Sequence, residues 1–352
     1  MRIAQVAPLF ESVPPKAYGG TERVISYLTE ELVRQGHEVT LFATADSVTA
    51  SKLIPSVEAG LRAEMLNRSW LAYDAIQIDK VSRLANNFDI IHFHTDYLHF
   101  PMASQLGRPH LTTLHGRLDL PELTPLFEHF NSCPMVSISD SQRTPTPWAN
   151  WCQTIYHGLS ADLYRFHPEP GKYFAFVGRM SPEKRVDRAI RIALDCDVPL
   201  YIAAKIDKSD QVYFNTEIAP LLAHPLIHFI GEVDEVQKHA LLAQAKALLF
   251  PIDWPEPFGL VMIEAFACGV PVIAYGHGSV PEVIDQGVNG FIVSNQDEAN
   301  EAAMQIDTSI NRADCRASFE ARFTSERMAN NYVQLYQRLI AQHSLHGSHS
   351  RM

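Results

Sequence analysis

The chain has 352 residues, of which 46% are hydrophobic and 20% charged, a composition typical of a globular protein long enough for two domains. The formal net charge is −11, from 29 basic and 40 acidic residues. This balance argues against nucleic acid or an anionic membrane as the main partner, because both require a basic face. We find no signal-peptide pattern and no apolar run of membrane-spanning length, although peripheral membrane contact stays open. The five cysteines form no Cys-x-x-Cys pair, which favours a reduced, cytoplasmic protein.

Strand-like and helix-like segments alternate through the first half, as in a parallel α/β sheet. Residues 3–7 and 37–43 predict strands around a helix over 22–35, with Thr21 as its N-cap. Gly19 and Gly20 precede that cap, either as a simple loop or as a place where backbone approaches a phosphate or sugar. The spacing does not match the Gly-x-Gly-x-x-Gly fingerprint, so a nicotinamide dehydrogenase is disfavoured.

Histidines are concentrated in the following segments, where residues 61–88 predict a helical region and 90–94, 111–114 and 135–139 predict strands. His92 and His94 alternate onto one face. Together with His99 and His115 they could form a metal cluster, but no ligand-spaced carboxylate or cysteine accompanies them, so we expect no metal site. His115 ends a strand beside a glycine and is either structural or in contact with a substrate.

The second half repeats the α/β alternation after a turn-rich linker around residues 157–171. Its predicted elements are strands at 173–177, 200–204, 227–231, 247–251 and 270–275, and helices from about 182, at 211–223, at 234–246 and at 314–343. Arg179 and Lys184 flank a strand-to-helix turn and could bind phosphate oxygens, or could simply be solvated charges. Asp195 and Asp197 lie at the amino end of a strand, which favours a surface turn over a metal–nucleotide site.

A longer motif, residues 256–274, reads EPFGLVMIEAFACGVPVIA and starts at the carboxyl end of a predicted strand. Ligands of open α/β sheets bind at that edge. Backbone N–H groups at Phe258, Gly259 and Leu260 would be free to bind an anion at the start of the helix. Glu256 would project from the loop, and Glu264 could accept hydrogen bonds from a diol. Either glutamate alone could also be an ordinary surface residue.

This motif resembles the Glu-x7-Glu signature of retaining glycosyltransferases of family 4. Three further segments resemble sites of that family: the diphosphate site at 178–184, the base-binding segment at 229–233 and a Pro-Glu loop at 278–284. The resemblance implies the GT-B fold, with two Rossmann-like α/β/α domains of parallel sheets facing a cleft. We expect domains at 1–157, with a returning helix at about 326–345, and at 158–325, followed by a disordered tail at 346–352. Where the family often has Asn-Gly-Val, this chain has His157-Gly158-Leu159, which leaves the role of residue 157 open.

The resemblance also implies the roles of individual residues. The expected catalytic residues are Glu256, His115, Arg179 and Lys184. The expected donor-binding residues also include Gly19, Gly20, Phe258, Gly259, Leu260 and Glu264, with Ile230, Gly231 and Val233 at the base and Asp96 and Tyr97 on the acceptor side. Neither a metal nor a resident cofactor is expected.

The expected reaction is hexosyl transfer, with retention of configuration, from a nucleotide-diphosphate sugar to an acceptor hydroxyl. A UDP-sugar is favoured over GDP-mannose as the donor. A glycan, a lipid and a small metabolite are all compatible acceptors, and the sequence does not determine the oligomeric state. The alternatives are a sugar-nucleotide epimerase of the same fold and a non-catalytic nucleotide-sugar-binding protein.

Overall fold

The computed structural model describes residues 1–16, 19–64, 69–103 and 105–349, apart from the side chains of 63–64 and 346–349. The chain forms two compact units. Unit 1 comprises Met1–Gly158 and Ser325–Met352, and unit 2 comprises Leu159–Thr324.

Unit 1 contains a seven-stranded, entirely parallel sheet in the order β3-β2-β1-β4-β5-β6-β7. Its strands are β1 Arg2–Val6, β2 Glu38–Thr44, β3 Lys52–Val57, β4 Ile90–Phe93, β5 His110–Thr113, β6 Met135–Ser137 and β7 Trp151–Thr154. Its helices are α1 Gly20–Arg34, α2 Trp70–Leu84, α3 Phe100–Ala103 and α4 Leu123–His129. Short 3-10 helices lie at Leu61–Glu64, Ala85–Asn87 and Ser141–Arg143. The central strands are buried on both faces, as parallel strands covered by helices should be.

Unit 2 contains a six-stranded parallel sheet in the order β10-β9-β8-β11-β12-β13. Its strands are β8 Tyr173–Arg179, β9 Leu200–Lys205, β10 Ile227–Gly231, β11 Ala245–Phe250, β12 Val272–Tyr275 and β13 Gly290–Val293. Its helices are α5 Val186–Asp195, α6 Gln211–Tyr213, α7 Glu235–Ala243, α8 Leu260–Cys268, α9 Val280–Val283, α10 Gln296–Ser309 and α11 Arg312–Arg322. Short 3-10 helices lie at Pro182–Lys184, Lys208–Asp210 and Ala219–Ala223, and a π-helix lies at Phe214–Ile218.

The last helix, α12 Ser325–His349, belongs to unit 1. Tyr332 and Tyr336 on this helix are buried, and Gln35, which follows α1, donates a hydrogen bond to Asn330 Oδ1 at 3.0 Å. Residues 346–349 continue the helix, so the tail predicted at 346–352 is wrong for them, because an established helix extends at little cost per residue. Residues 350–352 lie outside the described part. No helix among the described residues has both the length and the apolar character needed to cross a bilayer.

The two parallel α/β units confirm the predicted fold class. Three strands were missed: β3, β7 and β13. All three are edge strands and only partly buried; β3 and β7 contain polar residues, and the apolar run of β13 at 291–293 is only three residues long and directly follows a turn-forming segment.

Several predicted helix boundaries were wrong. The N-cap of α1 is Gly19 rather than Thr21. The predicted helix from Pro182 is a 3-10 turn, followed by Arg185 in a left-handed conformation (φ 52°) and then α5. The segment 211–223 changes helix type twice, and the C-terminal helical region is interrupted between α11 and α12.

Candidate active site

The Glu-x7-Glu motif of unit 2 lies between the carboxyl end of β11 and the start of α8. Gly259 is the N-cap of α8, with a left-handed φ of 79°, and a Cβ there would lie 3.0 Å from Phe250 Cζ. Glycine therefore fits both the conformation and the space. The backbone N–H groups of Gly259 and Leu260 donate no hydrogen bond within the described residues, so both are available at the start of the helix.

Glu256 is held through only one of its carboxylate oxygens. Lys184 forms an ion pair with Oε2, and Trp254 Nε1 donates to the same oxygen at 3.1 Å. The side chains of Lys184 and Glu256 are 17% and 13% exposed, so the pair is largely removed from solvent. Among the residues described, no group donates to the second oxygen, Oε1. Glu256 therefore keeps one acceptor atom open.

Lys184 lies among aromatic rings as well as beside Glu256. Its Nζ lies 5.1 Å from the centroid of the Trp254 ring and 5.6 Å from that of Phe250, within the range of a cation–π interaction. The two loops that carry these residues are joined where Asp253 N donates to Glu183 O at 2.8 Å. The sequence predicted Lys184 and Glu256 separately, and the structure brings them into direct contact.

A second loop supports the turn that carries Glu256. Gly278 has a φ of 60°, and a Cβ there would lie 2.3 Å from both N and O of Glu256, so no other residue fits without displacing that backbone. Ser279 donates from N to Glu256 O at 2.9 Å and from Oγ to Phe258 O at 2.8 Å. The family-like Pro-Glu loop thus fixes the backbone of the motif.

Glu264 is only 3% exposed, which excludes the surface interpretation. Lys238 Nζ lies 2.6 Å from its Oε1, and 3.3 Å from Oε1 of Glu235. Glu264 Oε2 accepts no hydrogen bond within the described part of the chain. Glu264 is therefore held in the same way as Glu256: one carboxylate oxygen pairs with a lysine, and the other accepts no hydrogen bond from the described residues. Lys238 was not anticipated, because α7 shows no motif.

Arg179 ends β8 and is about one-third exposed. It forms an ion pair with Glu183, and its Nε lies 3.3 Å from Asp210 Oδ2. Burial disfavours the Glu183 carboxylate, but its own backbone and Arg179 outweigh burial and lower the pKa of Glu183. Arg179 and Lys184 are therefore both paired with carboxylates, and a phosphate would have to share or replace those partners.

The other predicted site residues of unit 2 differ in how exposed they are to solvent. The Phe258 side chain is buried and packs edge-on against Phe323 with 6.2 Å between ring centroids, so only its backbone can serve a ligand. Ile230 is 43% exposed at the end of β10, and Gly231 follows with a φ of 76°. Val233 lies just beyond, partly exposed. These three residues form an accessible strand end.

In unit 1, Gly19 and Gly20 lie at the start of α1. A Cβ on Gly19 would lie 2.8 Å from Pro15 Cβ, so contact within the loop already requires a glycine there. Gly20 is the exposed first residue of the helix. Asp96 and Tyr97 are exposed after β4, with Asp96 in a left-handed conformation (φ 48°). Ala17 and Tyr18 lie outside the described residues.

His115 follows β5 and contacts two other histidines. Its Nε2 lies 2.9 Å from His94 Nδ1, and its ring stacks on that of His157 at 5.3 Å between centroids. Its Nδ1 is buried and has no hydrogen-bond partner among the described residues. Burial lowers the pKa of His115 to about 3, so the ring is neutral at physiological pH. His157, whose role the sequence left open, therefore packs directly against His115.

His92 and His94 form part of a buried hydrogen-bond network in unit 1. His92 and His94 share a face, as predicted, with 4.0 Å between ring centroids. Burial lowers the pKa of both well below its ordinary value. Each hydrogen-bonds to protein groups, and the described residues include no cluster of three or more histidine, cysteine, aspartate or glutamate side chains able to hold a metal ion.

Comparison with solved structures shows the class of fold. The chain resembles AviGT4, a glycosyltransferase involved in avilamycin A biosynthesis, at 22% identity and a TM-score of 0.77, covering 97% of this chain and 98% of that one. It also resembles Anabaena HepE, solved in complex with UDP-glucose, at 20% identity and a TM-score of 0.71, covering 98% and 99% of the two chains. The fold is therefore GT-B.

Sequence comparisons show the family. The model for group 1 glycosyl transferases matches residues 165–324, and that for Glycosyltransferase Family 4 matches residues 18–177. N-acetyl-alpha-D-glucosaminyl L-malate synthase of Bacillus anthracis is 26% identical over 90% of this chain and 93% of that protein. Phosphatidyl-myo-inositol mannosyltransferase of Mycobacterium leprae is 25% identical over 85% of each. The chain belongs to the family 4 glycosyltransferases.

Proposed function

We propose that the protein transfers a hexosyl group, with retention of configuration, from a nucleotide-diphosphate sugar to an acceptor hydroxyl. The observation that carries this proposal is that Glu256 and Glu264 are held in the same way, each by its own lysine. Each is anchored to a lysine through one oxygen and keeps the other open, on either side of the available N–H groups of Gly259 and Leu260. Such a surface suits a ligand with hydroxyls at both ends and a diphosphate between them.

In the proposed complex, the diphosphate binds to Arg179, Lys184 and the amides of Gly259 and Leu260. These groups stabilise the charge that develops on the leaving group, and no metal ion is required. Because Arg179 and Lys184 are already paired with carboxylates, binding must loosen those ion pairs. The arriving phosphate compensates for that loss, so the global charge of −11 does not prevent binding.

The two ends of the donor bind to the two glutamates. The open oxygen of Glu264 accepts from the ribose hydroxyls, and that of Glu256 accepts from hydroxyls of the transferred sugar. Ile230, Gly231 and Val233 bind the nucleobase. Asp96 and Tyr97 face the acceptor. We favour a UDP-sugar, which the HepE complex with UDP-glucose supports, over GDP-mannose.

The test is to incubate the purified protein, without acceptor, with UDP-glucose, UDP-galactose, UDP-N-acetylglucosamine, ADP-glucose and GDP-mannose in separate reactions. Released nucleoside diphosphate is measured for the native chain, Glu256→Gln and Lys184→Met. Glu301→Gln, an exposed glutamate on α10, is the matched control. We expect slow release from one donor, lost in the first two variants and retained in the control.

A protein that releases nothing is then titrated with each nucleotide sugar by calorimetry. Binding without turnover, across a panel of glycan, lipid and small-molecule acceptors, would indicate a non-catalytic binder. A changed sugar nucleotide formed without acceptor would indicate an epimerase. Absence of binding to all donors would overturn the assignment of Arg179, Lys184 and Glu264.

A further inference from the structure

Gln5 lies at the centre of the buried hydrogen-bond network of unit 1. It is on β1, fully buried, and its amide joins two groups. Oε1 lies 2.8 Å from His94 Nε2, and Nε2 donates to Tyr336 OH at 3.1 Å. An amide oxygen can only accept and an amide nitrogen can only donate. Moving a proton therefore cannot turn the accepting end of the Gln5 amide into a donor, or its donating end into an acceptor.

Its oxygen end determines the protonation of two histidines in turn. Because Gln5 Oε1 only accepts, His94 must carry its proton on Nε2. A neutral His94 then presents a bare Nδ1, 2.9 Å from His115 Nε2. That contact is a hydrogen bond only if His115 Nε2 donates. His115 is neutral as well, so its Nδ1 carries no proton.

The Nε2 group of Gln5 also fixes a consistent order of donors and acceptors, along the hydrogen bonds that run through Tyr336. Tyr336 OH accepts from Gln5 and can donate to His92 Nδ1 at 2.7 Å. His92 Nε2 then donates to Thr113 Oγ1 at 2.7 Å, and that hydroxyl donates to Tyr332 OH at 2.8 Å. Each hydrogen bond along this arm therefore has one donor and one acceptor, and the arm ends on α12.

We propose that Gln5 is a positioning residue that fixes His115 as its Nε2–H tautomer and leaves Nδ1 as a hydrogen-bond acceptor. His94 transmits this choice, and the Tyr336 arm does not take part in it. The importance of the tautomer for glycosyl transfer rests on the function proposed above. The tautomer itself can be measured without a donor or an acceptor.

The proposal gives His115 a definite chemistry. A buried acceptor without a partner is unfavourable, so a ligand group that pairs with Nδ1 removes that cost. Only a hydrogen-bond donor, such as a sugar hydroxyl or an N–H group, can do so. His115 would thus orient a hydroxyl, and it would neither donate a proton nor supply positive charge to a leaving phosphate.

The experiment is long-range proton–nitrogen correlation NMR on the full chain, labelled with nitrogen-15 in histidine and free of ligand. The His115 signals are assigned as those lost in His115→Gln. We expect a proton on Nε2 and a pyridine-like Nδ1 in the native protein. A proton on Nδ1 would overturn the proposal.

The isosteric variant Gln5→Glu should switch His115 to the tautomer that carries its proton on Nδ1. A carboxylate beside His94 favours the imidazolium, which takes up a proton from solvent and donates from both nitrogens. His94 Nδ1–H then donates to His115 Nε2, and the proton of His115 moves to Nδ1. Gln5→Met, which keeps the length but fixes no direction, should give a mixture of tautomers and serves if the glutamate variant does not fold.

Tyr336→Phe is the matched control, because it breaks the chain beyond Gln5 and leaves Gln5, His94 and His115 in contact. His115 should keep its proton on Nε2 there. A switch in this control, or an unchanged tautomer in both Gln5 variants, would overturn the proposal. With the donor found in the screen above, Gln5→Glu should lower kcat about 10- to 100-fold, the size of effect seen when the partner that orients a metal-bound histidine is removed, with little change in KM.

Discussion

The two units share a parallel α/β architecture but hold their candidate functional side chains in opposite ways. In unit 1, the histidines around His115 are buried and neutral and are oriented by hydrogen bonds. In unit 2, Glu256 and Glu264 are held by lysines in largely buried ion pairs. A neutral network fixes direction with little electrostatic cost, whereas an ion pair compensates for the cost of burying two charges. The units should therefore respond differently to loss of a partner and to acid.

The largest effect is expected from Lys238→Met. This change leaves the carboxylate of Glu264 buried and without its positive partner, which typically costs about 3–5 kcal/mol. Urea unfolding, monitored by hydrogen exchange in unit 2, should show this decrease in the free energy of unfolding. The double variant Lys238→Met/Glu264→Gln should recover much of it, and a double variant no more stable than the single one would refute the ion-pair interpretation.

A second large effect is expected from Lys184→Met in the catalytic assay. Loss of one preorganised charge at a developing anion commonly lowers kcat about 10²- to 10³-fold. Lys184→Arg keeps the charge but needs more room between Trp254 and Phe250, so it should recover only part of the rate. Steady-state kinetics with the identified donor measures both, and full activity in Lys184→Met would remove Lys184 from the mechanism.

Acid should lower the stability of the two units in different pH ranges. The folded pKa of His115 is about 3, below the unfolded value near 6.5, so the unfolded chain binds more protons between these values. Its contribution to stability is complete above pH 6.5 and falls as the pH drops, by about 1.4 kcal/mol per pH unit. The pKa values of His92, His94 and His157 are lowered in the same direction by burial.

In unit 2 the pKa of Glu183 is also lowered, so its contribution to stability has the same sign, but it is retained until the pH falls below the ordinary value of 4.5. Hydrogen exchange between pH 7 and pH 5 should therefore show unit 1 losing protection while the Glu183 region of unit 2 does not. His115→Gln should reduce the pH dependence in unit 1. Equal acid sensitivity of the two regions would contradict the comparison.

The smallest effect is expected from Trp254→Phe. Phenylalanine keeps a ring beside Lys184 but cannot donate to Glu256 Oε2, so one hydrogen bond to a charged group is lost. We expect a threefold to tenfold fall in kcat/KM, about 1 kcal/mol. Trp254→Leu, which loses the ring as well, should fall further, and an identical effect of the two variants would mean that the N–H group contributes nothing.

Local pattern was sufficient for much of the fold and for the position of the motif. The strand ending before Pro251 and the helix beginning after Gly259 follow from apolar runs and a residue that favours a left-handed conformation. These signals lie within a few residues of the features they determine. The same reasoning failed for the edge strands β3, β7 and β13, because their apolar runs are interrupted by polar residues or are only three residues long.

The sequence by itself also identified Glu256, Glu264, Lys184 and His115 as candidate functional residues. It did not determine their partners. Lys184 and Glu256 are 72 positions apart, and Gln5 and Tyr336 are 331 apart. Such pairs meet only because strand order and helix packing bring distant segments together, and no local pattern encodes that contact. The tertiary structure alone decided which carboxylate oxygens stay open and how the protons of the histidine network are arranged.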